Sequence, residues 1–241
     1  MDVPLVRLDF DLAEIISELV ELETDDIVAV SSCIVSKAEL GPVPLDSFTP
    51  TEYASVVAVR NGADPRFIQA VLENSKEVLL ESPFLLVKRE NGHICVNAGI
   101  DTSNVGKDDS VLLLPKDADK SARELQFGLK RISGVTTGVV IIDTNGRAFR
   151  EGQTGVAIGV AGVEVMRDWR GGLDLFDKTL EVKHEAVLDE LAGFANLLMG
   201  EGDGGTPVVV LRGLGMLVGE ASIADVLRRV EDDVIRKALK W

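Results

Sequence analysis

Three acidic residues sit beside apolar segments in a way that could hold a metal ion. Asp101 follows Cys95-Val96-Asn97-Ala98-Gly99-Ile100 and precedes Thr102-Ser103-Asn104. Asp143 follows Val139-Val140-Ile141-Ile142 and precedes Thr144-Asn145-Gly146-Arg147. Glu201 opens the loop Gly200-Glu201-Gly202-Asp203-Gly204-Gly205. A carboxylate at the end of a buried element is held rigidly while its head stays accessible. Mg²⁺ and Mn²⁺ want such hard oxygens, with phosphate and water completing the shell. Taken singly, each acid also reads as a turn or cap residue.

The glycines of the 200–205 loop let backbone N–H groups approach a phosphate closely. No Gly-Lys-Ser/Thr follows, so this is not a Walker loop, and a helix C-cap followed by a turn is an equal reading. Lys37, a few residues beyond an apolar strand, and Arg147, after Asp-Thr-Asn-Gly, could each reach an anion. The two histidines, His93 and His184, form no Ser-His-Asp pattern and no metal-spaced cluster, which argues against triad hydrolysis.

The elements that must position these groups follow from periodicity. Asp11–Glu23 reads as an amphipathic helix with Leu12, Ile15, Ile16, Leu19 and Val20 inward. Ile27–Val30 is a strand, and Pro42, Pro44 and Pro50 mark a loop. A helix starts at Asp64-Pro65, with Asp as N-cap and Pro in the first turn. Phe84–Lys88 and His93–Asn97 flank Asn91-Gly92 as a hairpin, with φ > 0 expected at both turn positions. Val111–Leu114 is a strand, Asp119–Ser133 a helix, and Gly138–Ile142 a strand ending at Asp143. Gly155–Val163 is a buried strand, Val182–Met199 a long helix stopping at Gly200, and Pro207–Leu211 a strand. Ile223–Leu239 closes as a helix with Val226, Leu227, Val230, Val234 and Ile235 inward. Helices and strands mix without β-α-β repetition, which gives an α+β (mixed α/β) fold class.

Composition bounds the function. With 46% hydrophobic and 27% charged residues in 241, there is enough apolar material for a sizeable core. A formal net charge of −15 repels nucleic acid and anionic lipid, so neither is expected as a partner. Cys33 and Cys95 lack C-x-x-C spacing and are expected reduced and buried, as in a cytoplasmic protein. There is no basic-then-apolar leader and no apolar run long enough to span a membrane.

Several long motifs together resemble one family. Asn97-Ala98-Gly99-Ile100-Asp101-Thr102-Ser103-Asn104, Asp143-Thr144-Asn145-Gly146-Arg147 and Phe194-Ala195-Asn196-Leu197-Leu198-Met199-Gly200-Glu201 are similar to signature segments of the coenzyme F420 γ-glutamyl ligases. Ser36-Lys37-Ala38-Glu39 resembles their N-terminal lysine motif. The resemblance runs from Val3 to the C-terminus. It implies a GTP-dependent ligase that adds L-glutamate to coenzyme F420-0 through an acyl phosphate. It further implies Mg²⁺ or Mn²⁺ (two ions), with K⁺ as a further cation. Carried onto matching positions, Asp101, Asp143, Thr144 and Glu201 resemble metal ligands. Val3, Pro4, Leu5, Val6, Ser32, Cys33, Lys37, Asn104, Met199, Gly200, Glu201, Gly202, Asp203, Gly204, Gly205 and Thr206 resemble nucleotide contacts. No general base is implied. The family form is a homodimer of intertwined two-domain subunits, and the chain is expected to be one ligase unit without the nitroreductase-like domain that some relatives carry.

The sequence departs from the family pattern in three places. It starts almost at Val3-Pro4-Leu5-Val6, Cys33 stands where a small hydroxyl residue is common, and Leu40-Gly41 replaces Gly-Arg. Two other readings therefore stay open: a different nucleotide-dependent carboxylate–amine ligase, and a non-catalytic nucleotide- or deazaflavin-binding regulator.

Overall fold

Ile27-Val28-Ala29-Val30 has no polar residue to turn toward water, and it becomes the interior of a sheet covered on both faces. The computed structural model describes residues 1–238. The chain opens with α1 (Leu12–Leu19), β1 (Ile27–Ser31), α2 (Ser32–Glu39) and β2 (Val43–Pro44). Next come α3 (Glu52–Asn61), α4 (Pro65–Glu73), β3 (Glu77–Leu80), β4 (Leu86–Lys88), β5 (Ile94–Val96) and β6 (Ser110–Val111). They are followed by α5 (Ala118–Ser133), β7 (Gly138–Arg147), β8 (Arg150–Ala161), β9 (Arg167–Asp168) and β10 (His184–Glu185). The chain then forms α6 (Val187–Met199), β11 (Val208–Leu211) and α7 (Val234–Ala238). The mixture of helices with a mixed sheet is the α+β class that the sequence implies.

The main sheet runs β11-β1-β7-β8, with β1 parallel to β7 and both outer pairings antiparallel. Period-2 alternation sorts its side chains. Val28, Val30, Val139, Ile141 and Ile158 face α1, α2 and α5. Ile27, Ala29, Val140, Ile142 and Val160 face α6 and the segment around Met216 and Ile223. A second core gathers α3, α4 and the small sheet β3-β4-β5 around Val57, Ile68, Val71, Leu85 and Val87. Asn145 joins the two parts, its side-chain amide donating to the Ile94 carbonyl at 3.1 Å.

Several expectations hold. Asp11 caps α1 through the Ala13 and Glu14 amides, and Asp64 caps α4 with Pro65 in its first turn. Others are corrected. Helix α1 ends at Leu19, with Val20 extended. Residues 182–186 are not helical, because His184 and Glu185 pair with Asp168 and Arg167. At the β4–β5 turn only Gly92 takes positive φ, at 91°. There the Gly92 amide bonds the Arg89 carbonyl and the Arg89 amide the His93 carbonyl, a type I turn followed by a bulge.

The closing segment is not one helix. It is two single 3₁₀ turns, Ile223–Val226 and Val230–Asp232, then α7, with Val230, Val234 and Ile235 exposed; Leu239 lies outside the described residues. Hydrogen bonds anchor its start alongside the buried Ile223 and half-buried Val226. Ser222 Oγ (2.8 Å) and the Ile223 amide reach the buried Asp119 carboxylate. Further on, Arg236 is buried against Glu77 on the small sheet. No described helix is long and apolar enough to cross a membrane.

Candidate functional site

β1 ends at Ser31 while its parallel neighbour β7 runs on to Arg147. That mismatch leaves an open edge at the C-terminal end of a parallel strand pair, where open sheets commonly place ligands. The chain turns there directly into α2, which the sequence reading missed. The signal for α2 was Ser31, whose hydroxyl caps the Cys33 amide at 3.3 Å. The N-terminus of α2 therefore points into the opening, with its first-turn N–H groups and a positive dipole end. Lys37 lies one turn farther along.

A cleft of about 430 Å³ fills this position. Val3 to Val6, Ser32, Cys33, Lys37, Asp101, Asn104, Asp143, Thr144, Met199 to Asp203, Gly205 and Thr206 all line it. Gly204 belongs to the same loop without lining the cleft. Arg147 lies outside it, exposed, its Nη2 bonded to the Glu151 carbonyl at 2.8 Å.

Asp143 is not at a strand end. It lies inside β7, paired with Val156, just past an irregularity in the register at Ile141/Ile142. The polar run after it is also strand, because Thr144 and Asn145 pair with Gly155 and Thr154 of β8. Asp143 Oδ1 accepts a 2.9 Å bond from Ser32 Oγ, which ties the strand to the start of α2. Burial pushes its carboxyl up to about 6; the Ser32 hydroxyl and the Thr144 amide oppose this, and the charge on Asp101 adds to it.

Asp101 sits on a bridge to Leu112, and its Oδ1 accepts from the Ser103 amide (2.6 Å) and hydroxyl (2.7 Å). The Asp-x-Ser spacing was the signal for that turn. Beneath it Asn97, Ala98 and Gly99 are all left-handed, at φ of 50°, 56° and 67°. Strain of that kind collects at functional sites.

Glu201 is exposed and accepts from Asn196 Nδ2 at 2.7 Å. Thr206 Oγ1 donates to the Met199 carbonyl at 2.9 Å and so closes the glycine-rich loop. The Val3 amide bonds the Gly205 carbonyl at 3.1 Å, bringing the N-terminal segment alongside. Helix α6 can place this loop close to β8 because Gly155 has no side chain; a Cβ there would meet the Ala192 carbonyl at 2.7 Å. Cys33 is half-buried and Cys95 buried, and both are free. Burial pushes both thiols up, Cys95 to about 12.

Among the described residues, no three His, Cys, Asp or Glu side chains form a metal cage by themselves. The donors nevertheless fit Mg²⁺ or Mn²⁺. These ions are commonly held by one or two carboxylates with phosphate oxygens and water, and Asp143 and Asp101 repel one another across one cleft in a way a cation relieves. A helix N-terminus, a lysine, a glycine-rich loop and carboxylates around one opening make a site suited to phosphate and divalent cation together.

Comparison with known proteins gives that site a family. The model for the family described as F420-0:Gamma-glutamyl ligase matches residues 1–213, and the chain belongs to that family. It is 51% identical over 237 residues to a protein of Archaeoglobus fulgidus named coenzyme F420:L-glutamate ligase, covering 98% of this chain and 94% of that protein. Proteins of the same name from Methanosarcina acetivorans (51% over 239 residues, 99% and 94% covered) and Haloarcula marismortui (45% over 244, 99% and 94%) are similar throughout.

Proposed function

We propose that this chain is a GTP-dependent ligase that joins L-glutamate to coenzyme F420-0, and then adds γ-linked glutamates, in coenzyme F420 biosynthesis. The observation that carries the reading is the convergence of Lys37, the α2 N-terminus, the 200–205 loop, Asp101 and Asp143 on one cleft, in a member of this ligase family.

In this reading the N-terminus of α2, with the Ser32 N–H, and the Lys37 ammonium receive the terminal phosphates. The main chain of Gly200 to Gly205, with Val3 to Val6, Asn104 and Thr206, encloses the rest of the nucleotide. Asp101, Asp143, Thr144 and Glu201 would hold Mg²⁺ or Mn²⁺, which supplies charge neutralisation for the transferring phosphoryl group. The F420-0 carboxylate oxygen attacks the γ-phosphorus, the bond to the β–γ bridging oxygen breaks, and GDP leaves. The glutamate nitrogen then attacks the acyl carbon, the C–O bond to phosphate breaks, and the amine gives up a proton. Phosphorylation turns a poor leaving oxygen into a good one.

We further propose one ligase unit per chain acting as a cytoplasmic homodimer. Support comes from the arm between β9 and β10, where Leu175 and Phe176 are 97% and 88% exposed. A second copy would cover such side chains. Light scattering tests the dimer; a monomer at micromolar concentration refutes it.

The ligase reading is tested by GDP release from GTP and Mn²⁺. Release that needs both F420-0 and L-glutamate supports it; release indifferent to either substrate overturns it.

A further inference from the structure

Arg89 is a buried cation with no ion pair among the described residues. It directly follows β4 and is 6% exposed. Burying an unpaired charge is costly, so its local bonds must compensate. Among the described residues its side-chain hydrogen bonds run from Nη2 to the carbonyls of Leu114 and Pro115, at 3.2 Å each. The base of the side chain is fixed, since the Arg89 amide and carbonyl both close the β4–β5 turn.

The segment it grips reaches the cleft. Two residues before Leu114, Leu112 exchanges both main-chain hydrogen bonds with Asp101, at 3.1 and 2.9 Å. Leu114 itself presses on Gly99: a Cβ at Gly99 would sit 2.3 Å from Leu114 Cδ1 and 3.3 Å from Asp143 Oδ2. Arg89, Leu114, Gly99 and the two carboxylates thus form one stack, fastened at its outer end by the guanidinium. Burial drives the guanidinium's pKa down, while Cys95 and Asp143 pull it back, so Asp143 lies within its field.

We propose that Arg89 is a positioning residue for the metal site, holding the 112–115 segment so that Asp101 and Asp143 face the cleft together. The inference rests on the metal reading above for its consequence, but not for its geometry. It predicts that Arg89→Lys and Arg89→Met behave alike. A lysine keeps the charge, but its ammonium ends one bond nearer the backbone than Nη2, the single atom that meets both carbonyls.

The test is amide hydrogen exchange at Asp101 and Leu112, followed by Mn²⁺ binding by electron paramagnetic resonance. In both variants exchange at these two amides accelerates about tenfold or more while β1 and β7 keep their protection. The Mn²⁺ dissociation constant rises about 10- to 100-fold, as for loss of a supporting partner behind a ligand. Gly99→Ala, which pushes on Leu114 from the other side and is also strained at φ 67°, gives the same loosening, and Leu114→Ala on that background relieves the part owed to the clash. These readouts need no glutamate transfer, so failure of the ligase reading is distinguishable. Unchanged exchange at Asp101 and Leu112, or a lysine variant that binds Mn²⁺ like the parent, overturns the inference. If the arginine variants do not fold, the Gly99/Leu114 pair decides it by the presence or absence of relief.

Discussion

Asp143 is expected to be a residue that the fold keeps at a loss, and Asp143→Asn measures the loss. Burial is the largest influence on its carboxyl, which is pushed to about 6 from an ordinary 3.8. At 1.36 kcal/mol per pH unit, holding it charged at neutral pH costs about 3 kcal/mol. The sign follows from proton counting. Between pH 3.8 and 6 the folded chain holds a proton that the unfolded chain has released, so this group's contribution falls as pH rises through that window. Asparagine removes the charge and still offers an oxygen to Ser32. The variant should therefore be more stable than the parent by about 1–3 kcal/mol at pH 7, a few degrees in Tm for a chain of this size. The advantage should shrink toward nothing near pH 4, where the parent is protonated as well. Urea unfolding at the two pH values, without metal, is the assay. Mn²⁺ should stabilise the parent and not the variant, and metal-dependent turnover should be lost. A variant less stable than the parent at pH 7, or an advantage independent of pH, refutes the reasoning.

Three further outcomes follow from the packing and the site. Gly155→Ala should lower stability by about 1–3 kcal/mol, because its Cβ would meet backbone on α6 that has nowhere to move; thermal unfolding checks it. Asp119→Ala strips the acceptor from the Val160 and Ile223 amides and from Ser222 Oγ, at about 1–3 kcal/mol for each buried donor left unpaired. It should also free the closing segment to proteolysis before the main sheet opens. Lys37→Ala should mainly raise the GTP concentration needed for half-maximal rate, and an unchanged GTP dependence removes Lys37 from the site.

Much of the fold was legible where local signals and packing agree. Asp64-Pro65 starts α4 and the apolar run Ile27–Val30 is the central strand, since capping chemistry and the absence of any polar face leave few alternatives. The misreadings have a common cause, which is pairing that sequence does not display. Thr144-Asn145-Gly146-Arg147 looks like a turn because nothing local reveals that Arg150–Thr154 will pair with it. Residues 182–186 look helical until β9 claims them. The 223–238 segment carries helical spacing, yet it is held by Asp119 and Glu77 and leaves Val230, Val234 and Ile235 in solvent. The motif residues converge on one cleft, but Arg89 carried no signal, since only the fold brings it under Leu114 and Asp143.

The most direct test of the central claim is an isotope-tracer turnover with F420-0 labelled with ¹⁸O in its terminal carboxylate, together with GTP, Mn²⁺ and L-glutamate. The first glutamate joined, seen as one glutamyl gain in the product mass, should be matched by one ¹⁸O in the released phosphate and one GDP, and each later glutamate, activated on an unlabelled γ-carboxylate, by one GDP and unlabelled phosphate. Addition of the first glutamate with unlabelled phosphate would contradict the acyl-phosphate route, and GDP release without any glutamyl product would contradict the ligase itself.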